Sequence, residues 1–247
     1  MFELAIAALL GALAPAPPAR APSPLTSALE AKIIAECTRP DAVPTRKWRV
    51  SRWGRDFAVA LSFEPITATD DLALAKPELC LLERHASRFA KVASGHVTIA
   101  ESNCGNQPEA SQDPPDFQLD LARYVTAPGV LALGVRSTCN NSFPAGEGDE
   151  SRLYLFEQHR AQLVQVLDER VGSLYHDRVG QADTTERGVL IVQKKQHGDH
   201  FDLTMRSEIT KLPFEAGRKV VTHESYTLVW NADHYTRKSA APSAKSR

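Results

Sequence analysis

An excess of charge of either sign is missing from this sequence. Its 29 Lys and Arg are matched by 30 Asp and Glu, leaving a net charge of −1. A chain so balanced is a poor nucleic-acid binder by bulk charge, and a poor polybasic membrane-surface protein. Long apolar runs are missing too. The longest, Leu4–Ala14 (LAIAALLGALA), would span roughly 16 Å as a helix against a bilayer core of about 30 Å, so no transmembrane anchor is expected. Catalytic signatures are absent: there is no G-x-S-x-G elbow, P-loop, G-x-G-x-x-G or H-E-x-x-H. No cofactor is therefore expected. No C-x-x-C pair occurs, which removes the simplest zinc and thioredoxin-like readings.

What is present begins with the ends. Leu4–Ala14 has the length of a secretory h-region, and the Pro/Ala stretch Pro15–Pro24 follows it. Residues 1–24 are read as a signal peptide and linker, although Glu3 stands where a basic residue belongs. That places the mature chain in the periplasm or outside the cell. There the even set Cys37, Cys80, Cys104 and Cys139 is expected to form two disulfides, with Cys37–Cys80 and Cys104–Cys139 the preferred pairing. The first would pin an N-terminal helix to a sheet. Residues 237–247 (RKSAAPSAKSR) read as a basic disordered tail.

A helix is predicted over 25–38. Ser27 and Glu30 form a capping-box signature, and Leu25, Leu29, Ile33 and Cys37 recur every four residues before Pro40. From residue 45 onward, short runs alternate apolar and polar residues between turn signals, as half-buried strands do. Examples are Trp48–Trp53, Phe57–Phe63, Phe117–Tyr124, Leu153–Phe156, Phe201–Met205 and Tyr226–Trp230. The fold class is therefore mainly β, a single domain over 25–236 with one N-terminal helix.

Internal similarity adds detail. Leu79–Val97 aligns without a gap on Leu153–Val171, with six identities in 19 positions, among them Glu83/Glu157 and His85/His159. Repeated antiparallel meanders near 47–98, 117–172 and 186–236 are expected, stacked as a propeller-like array or a multi-sheet sandwich. Along Leu119–Ser137 a strand ends in Tyr124, a Pro128-Gly129 turn follows, and Ala132, Gly134, Val135 and Arg136 form an A-x-G-V-R strand. This resembles a group of exported, β-rich bacterial proteins with no established activity. The resemblance implies fold and export and is silent on chemistry.

Few residues suggest a site. His197, Asp199 and His200, at a turn between two strands, are the best metal-ligand cluster by composition, because Zn²⁺ takes imidazole and carboxylate. Gly198-Asp199 is also plain turn chemistry, and that reading is preferred. His85 and His159 are read as repeated turn chemistry, with Glu83 and Glu157 facing solvent. Glu147, Asp149 and Glu150 are placed on a solvated loop over Asn140–Ser151, whose spacing does not match a calcium-binding EF-hand. Trp48, Trp53 and Trp230 would form a carbohydrate platform only if they met, and Trp48 and Trp53 fall on opposite strand faces. The functional expectation is a non-enzymatic binding module whose partner is a small molecule, a glycan or a protein. The alternatives are a secreted hydrolase with residues on the loops after Gly95 and Cys139, and a structural envelope protein with a large exposed apolar patch.

Overall fold

The structure, a computed structural model, describes residues 25–38, 45–67, 72–86, 88–99, 116–143, 146–214 and 217–238. The candidate signal segment, Cys104 and most of the tail lie outside the described residues. One helix precedes twelve strands, as the alternating pattern predicts. The helix α1 spans Ser27–Cys37. The strands are β1 (Lys47–Trp53), β2 (Phe57–Phe63), β3 (Glu78–His85), β4 (Arg88–His96), β5 (Asp116–Ala127), β6 (Val130–Phe143), β7 (Gly146–His159), β8 (Gln162–Asp177), β9 (Ala182–His197), β10 (His200–Pro213), β11 (Val220–Asn231) and β12 (His234–Arg237).

Two antiparallel meanders, β1–β4 and β5–β12, join into one mixed sheet that does not close on itself. They form one continuous sheet rather than the separate blades of a propeller. The joint is the parallel bridge Ser94–Gln162 between β4 and β8, where the Ser94 amide donates to the Ala161 carbonyl at 3.2 Å. Gly95 makes this approach feasible, because a Cβ there would stand 2.2 Å from the Leu163 carbonyl oxygen. The segments alike in sequence become hairpins alike in shape. β3–β4 and β7–β8 turn through Ala86 (φ 54°) and Arg160 (φ 57°), and each ladder shifts register at the same place, Leu81/Leu82 and Leu155/Phe156.

Packing explains the apolar runs. Val59, Leu61, Phe63, Leu79 and Leu81 of the first meander meet Phe117, Leu133, Val135, Tyr154 and Phe156 of the second. The alternate residues Ala132, Leu153 and Leu155 point the other way, into a cluster with Leu203, Met205, Leu228 and Tyr235. Leu153, Tyr154, Leu155 and Phe156 are all fully buried, so this stretch of β7 lies between two apolar layers. A strand covered on both faces reads as a continuous apolar run instead of an alternation. On the far side of the first meander, α1 sets Ile33 and Cys37 against Ala58, Ala60, Cys80 and Leu82.

The helix starts one residue earlier than its capping-box reading. Thr26, not Ser27, is the N-cap, and its hydroxyl accepts from the Leu29 amide at 3.4 Å. The inward stripe is as expected, and Cys37 bonds Cys80 across a Cα separation of 6.0 Å. Cys139 is buried and disulfide-bonded, while its expected partner Cys104 lies outside the described residues.

The strand ending in Tyr124, its turn and the A-x-G-V-R strand become β5 and β6. Their polar residues converge on Asp120, which accepts from Tyr124 Oη at 3.0 Å and Arg136 Nε at 2.7 Å. Burial and the adjacent Asp120 carboxylate push the Tyr124 phenol up to about 12. A side chain at Gly134 would meet the Asp120 Cβ at 2.8 Å, which is why the smallest residue sits there.

The Cys37–Cys80 bond closes 43 residues of sequence. By chain entropy such a loop contributes about 4 kcal/mol. A Cys37→Ser/Cys80→Ser double variant is expected to lower the unfolding free energy by that amount, read as a lower denaturant midpoint, with the strand signature in circular dichroism unchanged at low denaturant.

Candidate functional site

The sheet has two ends, and they differ in chemistry. At one end the tight turns β7–β8, β9–β10 and β11–β12 cluster. Of the three residues singled out in the sequence, His200 pairs with Asp199, whereas His197 pairs with Asp202 instead. His200, the first residue of β10, is 6% exposed and stacks on Trp230 of β11 at 3.5 Å between ring centroids. Its Nδ1 lies 2.6 Å from Asp199 Oδ1 and its Nε2 lies 3.1 Å from Glu157 Oε2. His197 Nδ1 bonds Asp202 Oδ1. Asp202 is buried, and it sits in a register shift between Phe201 and Leu203 that re-aims its side chain inward.

Tyr235 of β12 closes the cluster. Its hydroxyl faces the Phe201 carbonyl at 3.0 Å and the Thr126 carbonyl at 3.2 Å, its single proton serving both. Burial, then the Glu157, Asp202 and Asp199 carboxylates, push this phenol far above the usual tyrosine range. The His200 hydrogen bond holds the exposed Asp199 carboxyl below its usual range.

The surprise is Glu157. The repeated-turn reading put it in solvent beside Glu83. Glu83 is partly exposed, with His85 Nε2 at 3.7 Å, but Glu157 is 2% exposed, with His159 Nε2 at 3.6 Å and His200 Nε2 closer. The two hairpins are alike, but the β9–β12 layer covers only the second. Glu157 Oε1 is buried without a hydrogen-bond partner. The two ring nitrogens of His200 thus face Asp199 and Glu157, one on each side of the imidazole. The cluster therefore fastens three hairpins through His200. Among the described residues no group of three or more His, Cys, Asp or Glu is arranged to hold a metal ion.

Beyond Ser151, Gly172 and Arg187 the strands β6–β11 run on past the packed layers. The expected loop over Asn140–Ser151 is instead the continuing β6–β7 ladder, because each residue finds a cross-strand partner, down to Phe143 opposite Gly146. Glu147 pairs with Arg178 at 3.0 Å and Glu150 with Arg152 at 3.0 Å. The β8–β9 ladder stops at Gly172–Arg187, and from Gly188 to Val192 the described partner of β9 is β10. Where β9 parts from β8, an open groove of about 400 Å³ forms. On the face that carries Arg187, Thr138, Ser151 and Thr185 line it with hydroxyls, Arg136 and Arg187 with guanidinium groups and Asp149 with a carboxylate. Arg136 is tied to Asp120, and neighbouring Glu186 to Arg170 at 3.0 Å. Exposed Arg187 makes no ion pair among the described residues.

The three tryptophans do not meet. Trp53, Trp48 and Trp230 belong to three separate apolar clusters, which removes the carbohydrate platform. No protein-family model, curated protein or solved structure matches the chain. Among the described residues no helix is long and apolar enough to cross a membrane.

Removing one partner of a buried hydrogen bond leaves the other unsatisfied, at a cost of roughly 1–3 kcal/mol. His200→Ala is expected to lose that much in urea unfolding, and His197→Ala, whose ring is 37% exposed, markedly less. Equal losses would show that burial of Glu157 does not depend on His200.

Proposed function

We propose that this chain is a non-enzymatic binding module of the periplasm or cell exterior, with its ligand seat in the groove between β6 and β9. The observation that carries the reading is Arg187, an exposed guanidinium without an ion-pair partner among the described residues, on the same face as the three hydroxyls of Thr138, Ser151 and Thr185. Guanidinium recognises carboxylate in a two-pronged fashion, and hydroxyls exchange hydrogen bonds with a polyol. The ligand class that satisfies both is an acidic sugar or a short glycan containing one. The seat lies on hydrogen-bonded ladders rather than loops, which lowers the ordering cost of binding. The Cys37–Cys80 bond and the apolar run at Leu4–Ala14 support an oxidising compartment. The matched turns and bulges of β3–β4 and β7–β8 support an internal duplication behind the sheet.

One observation favours a hydrolase instead. Buried Asp202 orients the partly exposed His197, as in a general base. No serine, threonine or cysteine side chain is bonded to His197 among the described residues, so the binding reading is preferred.

Calorimetric titration with uronic-acid oligosaccharides, and with neutral oligosaccharides of the same length, tests the proposal. Binding of the acidic set is expected, weakened roughly tenfold or more by Arg187→Ala, since a hydrogen bond to a charged group contributes about 1.5–3 kcal/mol. Equal affinity for both sets, untouched by Arg187→Ala, would remove the groove from the account.

A further inference from the structure

The strands β8 and β9 pair from Asp177–Ala182 to Gly172–Arg187 and then part. β8 keeps β7 along its length, and its other edge runs back to the bridge with β4 at Ser94–Gln162. β9 keeps β10, with Gly188 to Val192 opposite Ser207 to Leu203 in unbroken register. On its other edge, beyond Arg187, β9 has no partner strand among the described residues. A strand paired on one side only presents a row of backbone N–H and C=O groups on the other, a template for a further strand.

This edge is apolar and regular. Leu190 and Val192 pack inward against the cluster of Leu203 and Met205, while Val189 is 61% exposed. Protection of the kind that natural edges carry, lysine and a bulge, comes only where the stretch ends. There Gln193 to Lys195 stand against the single residue Asp202, between the pairs Val192–Leu203 and Gln196–Phe201. Lys194 and Lys195 are exposed and have no ion-pair partner among the described residues.

The charge around the edge is of one sign. From Arg187 to His197, β9 holds Arg187, Lys194 and Lys195 and no acid. The facing Leu203–Ser207 stretch of β10 adds exposed Arg206, opposite Val189, and again no acid. Of the carboxylates beyond these stretches, Asp202 is buried on His197, Glu186 pairs with Arg170, and Glu208 stands opposite Arg187 with His223 at 3.7 Å. The excess cations also oppose a second copy of the chain. Antiparallel pairing of two β9 edges about Ile191 sets Lys195 opposite Arg187, and parallel in-register pairing sets lysine beside lysine. Like charges directly opposite destabilise a ladder.

We infer that the β9 edge takes up an extended acidic segment of another protein as an added strand. The segment's backbone pairs with Gly188–Val192, and carboxylates at one end meet Lys194 and Lys195. The inference does not rest on the groove, since none of the groove hydroxyls takes part.

Titration of the full chain with the synthetic peptide Glu-Glu-Val-Thr-Val-Thr-Val tests it, with amide exchange followed along β9. Two controls accompany it: the same peptide with lysines for the glutamates, and the acidic peptide N-methylated through its Val-Thr run, which removes the backbone donors. The acidic peptide is expected to bind and to slow exchange over Gly188–Val192, and the N-methylated peptide to fail. A Lys194→Glu/Lys195→Glu double variant should keep its unfolding midpoint, bind the acidic peptide roughly tenfold more weakly and accept the lysine peptide instead. No binding of the acidic peptide, equal binding of the acidic and lysine peptides, full binding of the N-methylated peptide, or protection away from β9 would overturn the inference. So would self-association of the chain that slows the same amides, which would assign the edge to a second copy.

Discussion

The fold depends on one constraint: β6 and β7 must be covered on both faces at once. Ala132 to Val135 and Leu153 to Phe156 send alternate side chains into two different apolar layers, one completed by β1–β4 and the other by β9–β12. Burying a large apolar side chain is worth about 1.5–3 kcal/mol, so the four residues Leu153–Phe156 alone account for a large share of a typical net stability. In the outer layers only β2 and β3 are buried as continuously, at Ala58–Phe63 and Leu79–Leu82. β2 is covered on its other side by α1, and the β9–β12 layer shows solvent its partly exposed face.

Because the packing is concentrated at one end, the other end is free of it. The strands β6–β11 continue as hydrogen-bonded ladder after the apolar layers stop, and their faces there are released from burial. The groove with Arg187 and the exposed apolar side chains of Val179 and Phe214 both lie on this extension. The histidine cluster belongs to the packed end, where His200, Glu157 and Trp230 join turns that would otherwise splay. Chemistry that looks catalytic in composition is thus spent on fastening hairpins, and surfaces that look featureless in sequence are the accessible ones.

This division also explains what was legible in the sequence. The apolar centres of β2, β7 and β10 stand out, and α1 declares its inward face through Leu29, Ile33 and Cys37, consistent with the preferred pairing of Cys37 with Cys80 that the structure shows. Strand lengths are not legible. SLYHD of β8 and ADTTER of β9 carry no core pattern, and their extended state follows from cross-strand pairing. Nor do Ala86, Arg160 and Ala232 advertise the positive φ they adopt, since only context imposes it on non-glycine residues. Glu157 could not be told from Glu83, because its burial depends on a later layer, in which His200 lies 43 residues further along the chain. Asp202 was hidden by its bulge. The one available hint was a carboxylate directly between two apolar strand residues, Phe201 and Leu203. The groove draws on four strands and leaves no local trace.

Hydrogen exchange resolved along the chain tests the central division most directly. Amides at Ala132–Val135 and Leu153–Phe156 should exchange only through global unfolding. Those at Glu147–Glu150, Ser173–Asp177 and Asp183–Glu186 should open separately at lower free energy. Equal protection in the two halves of β7 and β8 would contradict a fold anchored at one end.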